Sequence, residues 1–343
     1  MAKIGRRHAL AAGGLAALGV LTAGDEESVR AQDTGHLRDV LLPPREHLLL
    51  TALDVSRADA YRTLAHLIAT RDEPVAATLA LGASWFAKTG RTDLPTALTA
   101  MPVFEGDVLD AGLSHGDLLL QLTASSADLA QRVRDRWIRQ VPGSRVRWER
   151  RGFQTRAGTA PEGRPLTRNH FGFVEGHTNP PRQSLREVVE IGPGAREPAW
   201  AIGGTYQVVR IIRFATEFWN EDPVPVQERV MGRRRDGTWL DGSPATGHPR
   251  FSTDPHGLVT PLDSHARRAN PREPGTEAPR MLRRGYTYRQ SATDEGMLFI
   301  AFQADMERGF AGVQRRLAGQ ALDRYVLTVG GGYFFVPDPA RLR

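Results

Sequence analysis

Two successive runs of strand-like and helix-like segments, in the same order, constrain this chain more than any other feature of its sequence. His47 to Val55 (HLLLTALDV) is a nearly continuous apolar run of strand length. It leads into Ser56-x-x-Asp59, a capping-box-like start, after which Leu64, Leu67 and Ile68 share one helical face. Ala77 to Leu81 and Asp117 to Thr123 read as further strands. Ser125-x-x-Asp128 then opens a second helix, along which Leu129, Val133, Trp137 and Val141 recur every fourth residue. Val146 to Glu149 closes the series as a strand. The order β-α-β-β-α-β predicts a ferredoxin-like unit. Gly- and Pro-rich sequence from Ala157 to Pro165 reads as a linker, and beyond it the plan recurs. Thr205 to Phe214 is a strand, Glu217 to Met231 is partly helical, and Met297 to Gln303 is a strand. Met306, Phe310, Val313 and Leu317 form a helical stripe, and Tyr325 to Val336 supplies the last strand. The expected fold is α+β: two ferredoxin-like halves, 32–156 and 166–343, with their antiparallel sheets paired as in a dimeric α+β barrel.

One stretch departs from this plan. Between Arg233 and Pro279 there is little periodicity but much Gly, Pro, Asp, Arg and His. Loops of that length without structure of their own tend to carry function or disorder, so this one is a candidate cover for a site.

The N-terminus reads as an export signal, 1–31. Arg6-Arg7 precede an uncharged run from Ala9 to Gly24, too short for a bilayer-spanning helix, and Ala31 offers a small residue for cleavage. The arginine pair resembles a twin-arginine signal, which implies periplasmic or extracellular delivery of an already folded protein. No other stretch is apolar enough to cross a membrane.

Composition excludes several chemistries. With no cysteine, disulfides, thiolate metal sites, Fe–S clusters and cysteine nucleophiles are ruled out. Lys3 and Lys88 are the only lysines, which leaves no Walker A loop and Lys88 as the one amine for Schiff-base chemistry. The formal charge of +6 comes almost wholly from arginine. Asp and Glu are spread among these arginines, and the Arg runs (Arg233 to Arg235, Arg283-Arg284) are short, so the charge does not read as a nucleic-acid surface.

Three of the ten histidines stand in contexts unlike a solvated surface: His170 and His177 flank a Gly-rich turn, and His265 sits inside the long aperiodic stretch. The segment from Phe171 to Pro180 (FGFVEGHTNP) resembles the GxxDG motif of dye-decolourising peroxidases, with Glu in the acid position. Other segments resemble the same family in order and spacing: SHGDLLLQ from Ser114, GGTYQVVR from Gly203, DSHARRANPR from Asp263, LRRGY from Leu282 and GGGYFF from Gly330. This resemblance implies noncovalent haem b between the sheet and helices of the C-terminal half. It makes His265 the proximal iron ligand, Glu175 the distal acid–base group and Arg283 the distal arginine. It also places Gly172, Gly176, His177 and Phe299 around the cofactor, with Leu298 beside Phe299. Arg210 or Arg213 would reach a propionate, one of the two at most. Asp323 is either a helix-end surface residue or a partner for His265 Nδ1. The aromatic residues Trp200, Trp219, Trp239, Tyr206, Tyr286 and Tyr333 are either core or electron relays toward bulky substrates.

The chemistry agrees with these roles. Haem iron accepts an axial imidazole on one face and leaves the other open. A carboxylate there can take a proton from one peroxide oxygen and return it to the other, while arginine stabilises the charge that develops. Glu in place of Asp adds a methylene, and a displacement of ~1 Å can cost on the order of 100-fold in rate. The expected activity is oxidation of dyes and phenolic compounds by hydrogen peroxide. The alternative is a haem-binding or deferrochelatase-like protein that removes iron from haem in iron acquisition. The expected partners are therefore peroxide and aromatic reductants, with homo-oligomer formation left open by the sequence. Purified protein supplied with haem is expected to show a strong Soret band that is lost in His265→Ala. No Soret band in the parent protein would sink the haem reading.

Overall fold

The computed structural model describes residues 36–161, 163, 165–273, 276 and 278–342. The expected export signal lies outside them.

Eight strands form a closed barrel in the order β1-β3-β2-β11-β8-β10-β9-β4. The first half supplies β1 (His47–Val55), β2 (Ala76–Gly82), β3 (Leu118–Ala124) and β4 (Ser144–Phe153). The second supplies β8 (Thr205–Phe214), β9 (Leu282–Arg289), β10 (Glu295–Gln303) and β11 (Val326–Val336). Within each half the spatial order is fourth, first, third, second, and the strand pairs are antiparallel, as in a ferredoxin-like sheet. The halves join along two seams. Phe334 and Phe335 of β11 pair with Gly82 and Leu81 of β2, and Phe153 of β4 pairs with Thr287 of β9. Joining the sheets this way leaves none of the eight strands with an open edge.

Strand alternation sorts the side chains into two cores. Leu48, Leu50, Ala52, Leu119, Val209, Ile211, Leu298, Ile300 and Phe334 point into the barrel and fill it. The outward residues of the first half, among them Leu49, Leu53, Leu79 and Leu120, are covered by α2 (Ala60–Ala69), α3 (Ala83–Thr89) and α4 (Ala127–Arg139), which follow α1 (Arg38–Leu41). The expected stripe on α4 is confirmed, with Val133, Trp137 and Val141 all buried. Its cap is Ser126, which accepts from Leu129 N, one residue later than the sequence pattern suggested. The capping box before α2 does not form, because Asp59 hydrogen-bonds the Arg57 guanidinium instead. Lys88 is structural: it pairs with the buried carboxylate of Asp117, which also accepts from Val55 N and Ser84 Oγ.

One expectation about the connections is corrected. The stretch read as a linker belongs to a small sheet of β5 (Thr155–Thr159), β6 (Pro165–Arg168) and β7 (Val174–Glu175). In the described residues of the aperiodic stretch, carboxylates and one arginine take the place of regular hydrogen bonding. Asp254 accepts from Leu258 N and Thr260 N, and the buried Arg267 donates to Thr260 O and Asp254 O. The helical stripe at Met306 to Leu317 is buried, but Gly309 departs from helical geometry and splits it before α9 (Gly312–Leu317). Four shorter helices complete the chain: α5 (Leu185–Val189), α6 (Thr216–Glu221), α7 (Val224–Met231) and α8 (His265–Ala269).

Phe335 is fully buried at the first seam and meets the rings of Trp200 and Tyr206 edge-on at 5.4 and 5.3 Å. Phe335→Ala is expected to cost about 3–5 kcal/mol, read as a lower urea midpoint at unchanged slope. A cost below about 1 kcal/mol would show that the seam tolerates a cavity.

Candidate functional site

The outer face of the second half's sheet is not covered as the first half's is. Ile212 and Phe214 of β8, Met297 and Phe299 of β10, and Val326 of β11 form one wall of a cavity of about 2410 Å³. The facing wall comes from the long excursion, from α9 and from the turn after it: His265, Ala266, Ala269, Val313, Leu317 and Gln320. Phe299 thus faces the cavity as expected, while Leu298, one residue earlier, points into the barrel and is core.

His265 is the first residue of α8, and its placement depends on close packing next to it. Gly232 ends α7 in the left-handed region (φ 78°), and a Cβ there would come within 2.6 Å of Ser264 Oγ. Glycine therefore lets α7 end directly against the residue before His265. The imidazole Nδ1 lies 2.7 Å from Gln320 Oε1, and Gln320 Nε2 donates to Asp323 Oδ1 at 2.9 Å. Asp323 thus reaches His265 only through Gln320, which corrects the direct contact considered from the sequence. Burial pushes the His265 pKa down to about 4, the Gln320 hydrogen bond opposes this, and the charges of Arg233 and Arg283 lower it further. At neutral pH the imidazole is uncharged.

Glu175 occupies the end of β7. Its Oε1 accepts from Asn169 Nδ2 at 2.8 Å, and Oε2 lies where a side chain at residue 285 would be, 2.9 Å from a Cβ built on Gly285. The Asn169 carbonyl oxygen on the side chain also accepts from Phe173 N at 3.0 Å, so one buried amide shapes the turn and holds the carboxylate. Gly172 and Gly176 both have left-handed φ (85° and 102°). A side chain at 176 would press on Leu166 at 3.3 Å, while the nearest group to one at 172 is the Arg235 guanidinium. Both serve the turn, and of the two only Gly176 lines the cavity. His177 also lines it, its ring lying so close over Gly237 that a Cβ there would come within 2.6 Å.

Arg283 extends from β9, where the Asn179 side chain clamps its backbone: Arg283 N donates to Oδ1 and Asn179 Nδ2 donates to Arg283 O, each at 3.0 Å. Its guanidinium donates to Thr178 Oγ1. The segment from Glu175 to Asn179 and the strand carrying Arg283 are therefore fixed to each other.

Arg210 is differently engaged. It is buried, forms a two-pronged pair with Asp107, and donates to Thr328 Oγ1 at 2.8 Å. Its guanidinium also lies over the rings of Phe104 and Phe310 at 5.2 and 5.8 Å. The expectation that Arg210 reaches a propionate is corrected, because its charge is already met by a buried carboxylate. Arg213 pairs with Asp294. Arg210 is among the residues lining the cavity, and so are two arginines that the sequence did not single out, Arg233 and Arg272. Among the described residues no carboxylate lies within ion-pair distance of either. Arg272 adopts φ 56°, strained for a non-glycine residue, and its guanidinium sits over Trp239 and Phe251 at 5.0 and 5.5 Å. Burial lowers the Arg233 pKa, with the charge of Glu175 opposing.

Family models for the Dyp-type peroxidase N-terminal and C-terminal domains match residues 29–154 and 166–341. The chain belongs to the Dyp-type peroxidase family. Among its relatives, the deferrochelatases of Escherichia coli and Shigella flexneri are 41% identical over 252 residues, covering 71% of this chain. The matched stretch spans 60% of the length of those curated relatives. A DyP-type peroxidase from Streptomyces coelicolor shares the structure with a TM-score of 0.75 at 32% identity, covering 86% of this chain and 90% of that one. Ferric DtpA from Streptomyces lividans has a TM-score of 0.75 at 31% identity, covering 88% and 91%. A DypB variant from Rhodococcus jostii, solved in complex with heme, shares the fold at 21% identity with a TM-score of 0.68, covering 87% and 95%.

The cofactor of this family is haem, and the cavity of this chain fits it. A neutral imidazole with Nδ1 engaged offers Nε2 to a metal, the sheet provides an apolar wall for a flat macrocycle, and Arg233 and Arg272 supply charge for two carboxylates. The depressed His265 pKa has a consequence for stability. A histidine whose folded pKa lies below its unfolded value stabilises the fold above about pH 6.5, and this contribution is lost as pH falls toward 4. The haem-free protein should lose up to about 3 kcal/mol more stability than His265→Gln between those two pH values, measured by urea unfolding. Parallel losses in the two proteins would contradict the burial of an uncharged imidazole.

Proposed function

We propose that this protein is a haem peroxidase that uses hydrogen peroxide to oxidise dyes and phenolic compounds. The observation that carries the reading is the convergence of His265, Glu175 and Arg283 on one cavity from three separate parts of the chain. Haem b, when bound, supplies the chemistry of peroxide reduction and of one-electron oxidation of aromatic reductants. His265 would hold the iron through Nε2, and Arg233 and Arg272 would hold the propionates. The carboxylate of Glu175 would take a proton from one oxygen of the peroxide and return it to the departing one. Arg283 stabilises the negative charge that grows as the O–O bond lengthens. Asn169 and Asn179 keep these two groups in place: the first holds Oε1 of Glu175, the second fixes the Arg283 backbone.

Glu175 hangs from a two-residue strand with its Oε2 beside Gly285, a glycine that leaves room for the longer side chain's carboxylate. This supports a working acid–base role for glutamate at a position where the family motif has aspartate.

A second reading, removal of iron from haem, is supported by the 41% identity to proteins named deferrochelatase. Dye turnover on adding peroxide, with the porphyrin retaining its iron, favours the first reading; metal-free porphyrin as the product favours the second. Export by the twin-arginine route is proposed from Arg6-Arg7 and the apolar run that follows. For the peroxidase reading, Glu175→Gln is expected to slow the first spectral change after peroxide addition by about 100-fold or more, and Arg283→Leu by a similar factor. Unchanged rates in Glu175→Gln would remove the carboxylate from the reaction.

A further inference from the structure

The chain of hydrogen bonds behind His265 is used by none of the steps above. We propose that Gln320 is a positioning residue for the iron ligand: an uncharged relay that keeps the His265 Nε2 bare and limits electron donation to the metal, with Asp323 acting only through it. This rests on the reading of His265 as the iron ligand.

The direction of each hydrogen bond follows from its partners. Asp323 is an acceptor, so the amide nitrogen of Gln320 must point to it, at 2.9 Å. That turns the amide oxygen toward His265 Nδ1, at 2.7 Å. A carbonyl oxygen can only accept, so the imidazole proton sits on Nδ1 and the lone pair on Nε2. The acid therefore selects the tautomer of a ring it does not touch.

The relay is also fixed in space. Gln320 lies in the turn after α9, where Gly319 takes φ 70° and Gln320 N donates to Leu317 O at 3.0 Å. Three contacts tie this turn and α9 to the segment carrying His265. Ala321 N donates to Asp263 O at 2.9 Å, the Arg268 guanidinium donates to Ala318 O, and Arg316 Nη2 donates to Ala269 O at 2.9 Å. The imidazole and its acceptor are thus parts of one stapled unit.

The chemical consequence lies in the acceptor's charge. A carboxylate directly on Nδ1 would draw its proton strongly and make the imidazole a more electron-rich ligand. The neutral amide draws it less, and Asp323 strengthens that amide only by polarising it from one bond further away.

The test uses the full chain loaded with haem. It reads the ferric/ferrous midpoint potential and, in the ferrous form, the iron–histidine stretching frequency. Gln320→Glu is expected to shift the potential negative and the stretch to higher frequency, and Gln320→Leu to shift both the other way. Asp323→Asn should give a smaller shift in the direction of Gln320→Leu and no further shift in the Gln320→Leu background. In the haem-free protein, imidazole nitrogen NMR should show His265 protonated on Nδ1, and Gln320→Leu should redistribute that proton toward Nε2. Unchanged potential and stretch in Gln320→Glu, or an undiminished effect of Asp323→Asn without Gln320, would overturn the relay. So would a His265 tautomer indifferent to Gln320→Leu. A chain that takes up no haem overturns the site reading and this inference together, whereas haem bound through His265 with potentials blind to Gln320→Glu overturns the relay alone.

Discussion

Closure of the barrel is the constraint on which the rest of the structure depends. Each half has two free sheet edges, and pairing them edge to edge removes all four at once. The enclosed space is then filled by Leu50, Leu119, Ile211, Leu298, Ile300 and Phe334, which leaves no room inside for a cofactor. A large ligand must then sit on an outer face, and among the described residues it is the outer face of the second half that is left to a cavity. Alternation along β8 and β10 makes this concrete: Ile211 and Leu298 fill the barrel while Ile212, Met297 and Phe299 line the site.

The second constraint is electrostatic. The cavity collects positive charge from Arg233, Arg272 and Arg283 and keeps His265 neutral in their midst. The buried arginine of β8, Arg210, is withdrawn from that field by Asp107, and its cost of burial is offset by a two-pronged pair and two aromatic faces. The polarity of the site is thus set by how each arginine is placed among its three-dimensional neighbours.

Much of this was legible in the sequence. The strand at His47 to Val55 and the stripe on α4 could be read because hydrophobic periodicity is local. The cavity residues His265, Glu175 and Arg283 could be named because each sits in a motif of fixed spacing. What was hidden depended on contacts between distant segments. β9 was not read as a strand, since Arg283, Arg284 and Gly285 break its apolar pattern, and its pairing comes from β10 and β4. Arg233 was indistinguishable from Arg234 and Arg235, because only the hairpin closed by Arg233 and Trp239 aims one of the three inward. Gln320 carried no signal of its own, as a glutamine becomes a histidine's partner only when a turn from another element places it there.

The two halves repeat one plan, yet the chemistry is not repeated. The first half spends its outer face on α2 and α4, whose Leu64, Val133 and Trp137 pack against the sheet. Glu175, moreover, belongs to the small sheet between the halves, while His265 belongs to the excursion inserted between β8 and β9. A symmetric pair of either half alone would therefore assemble the barrel without assembling a site. Among the described residues the pseudo-twofold architecture brings His265, Glu175 and Arg283 together on one cavity, so haem uptake should saturate at one equivalent per chain.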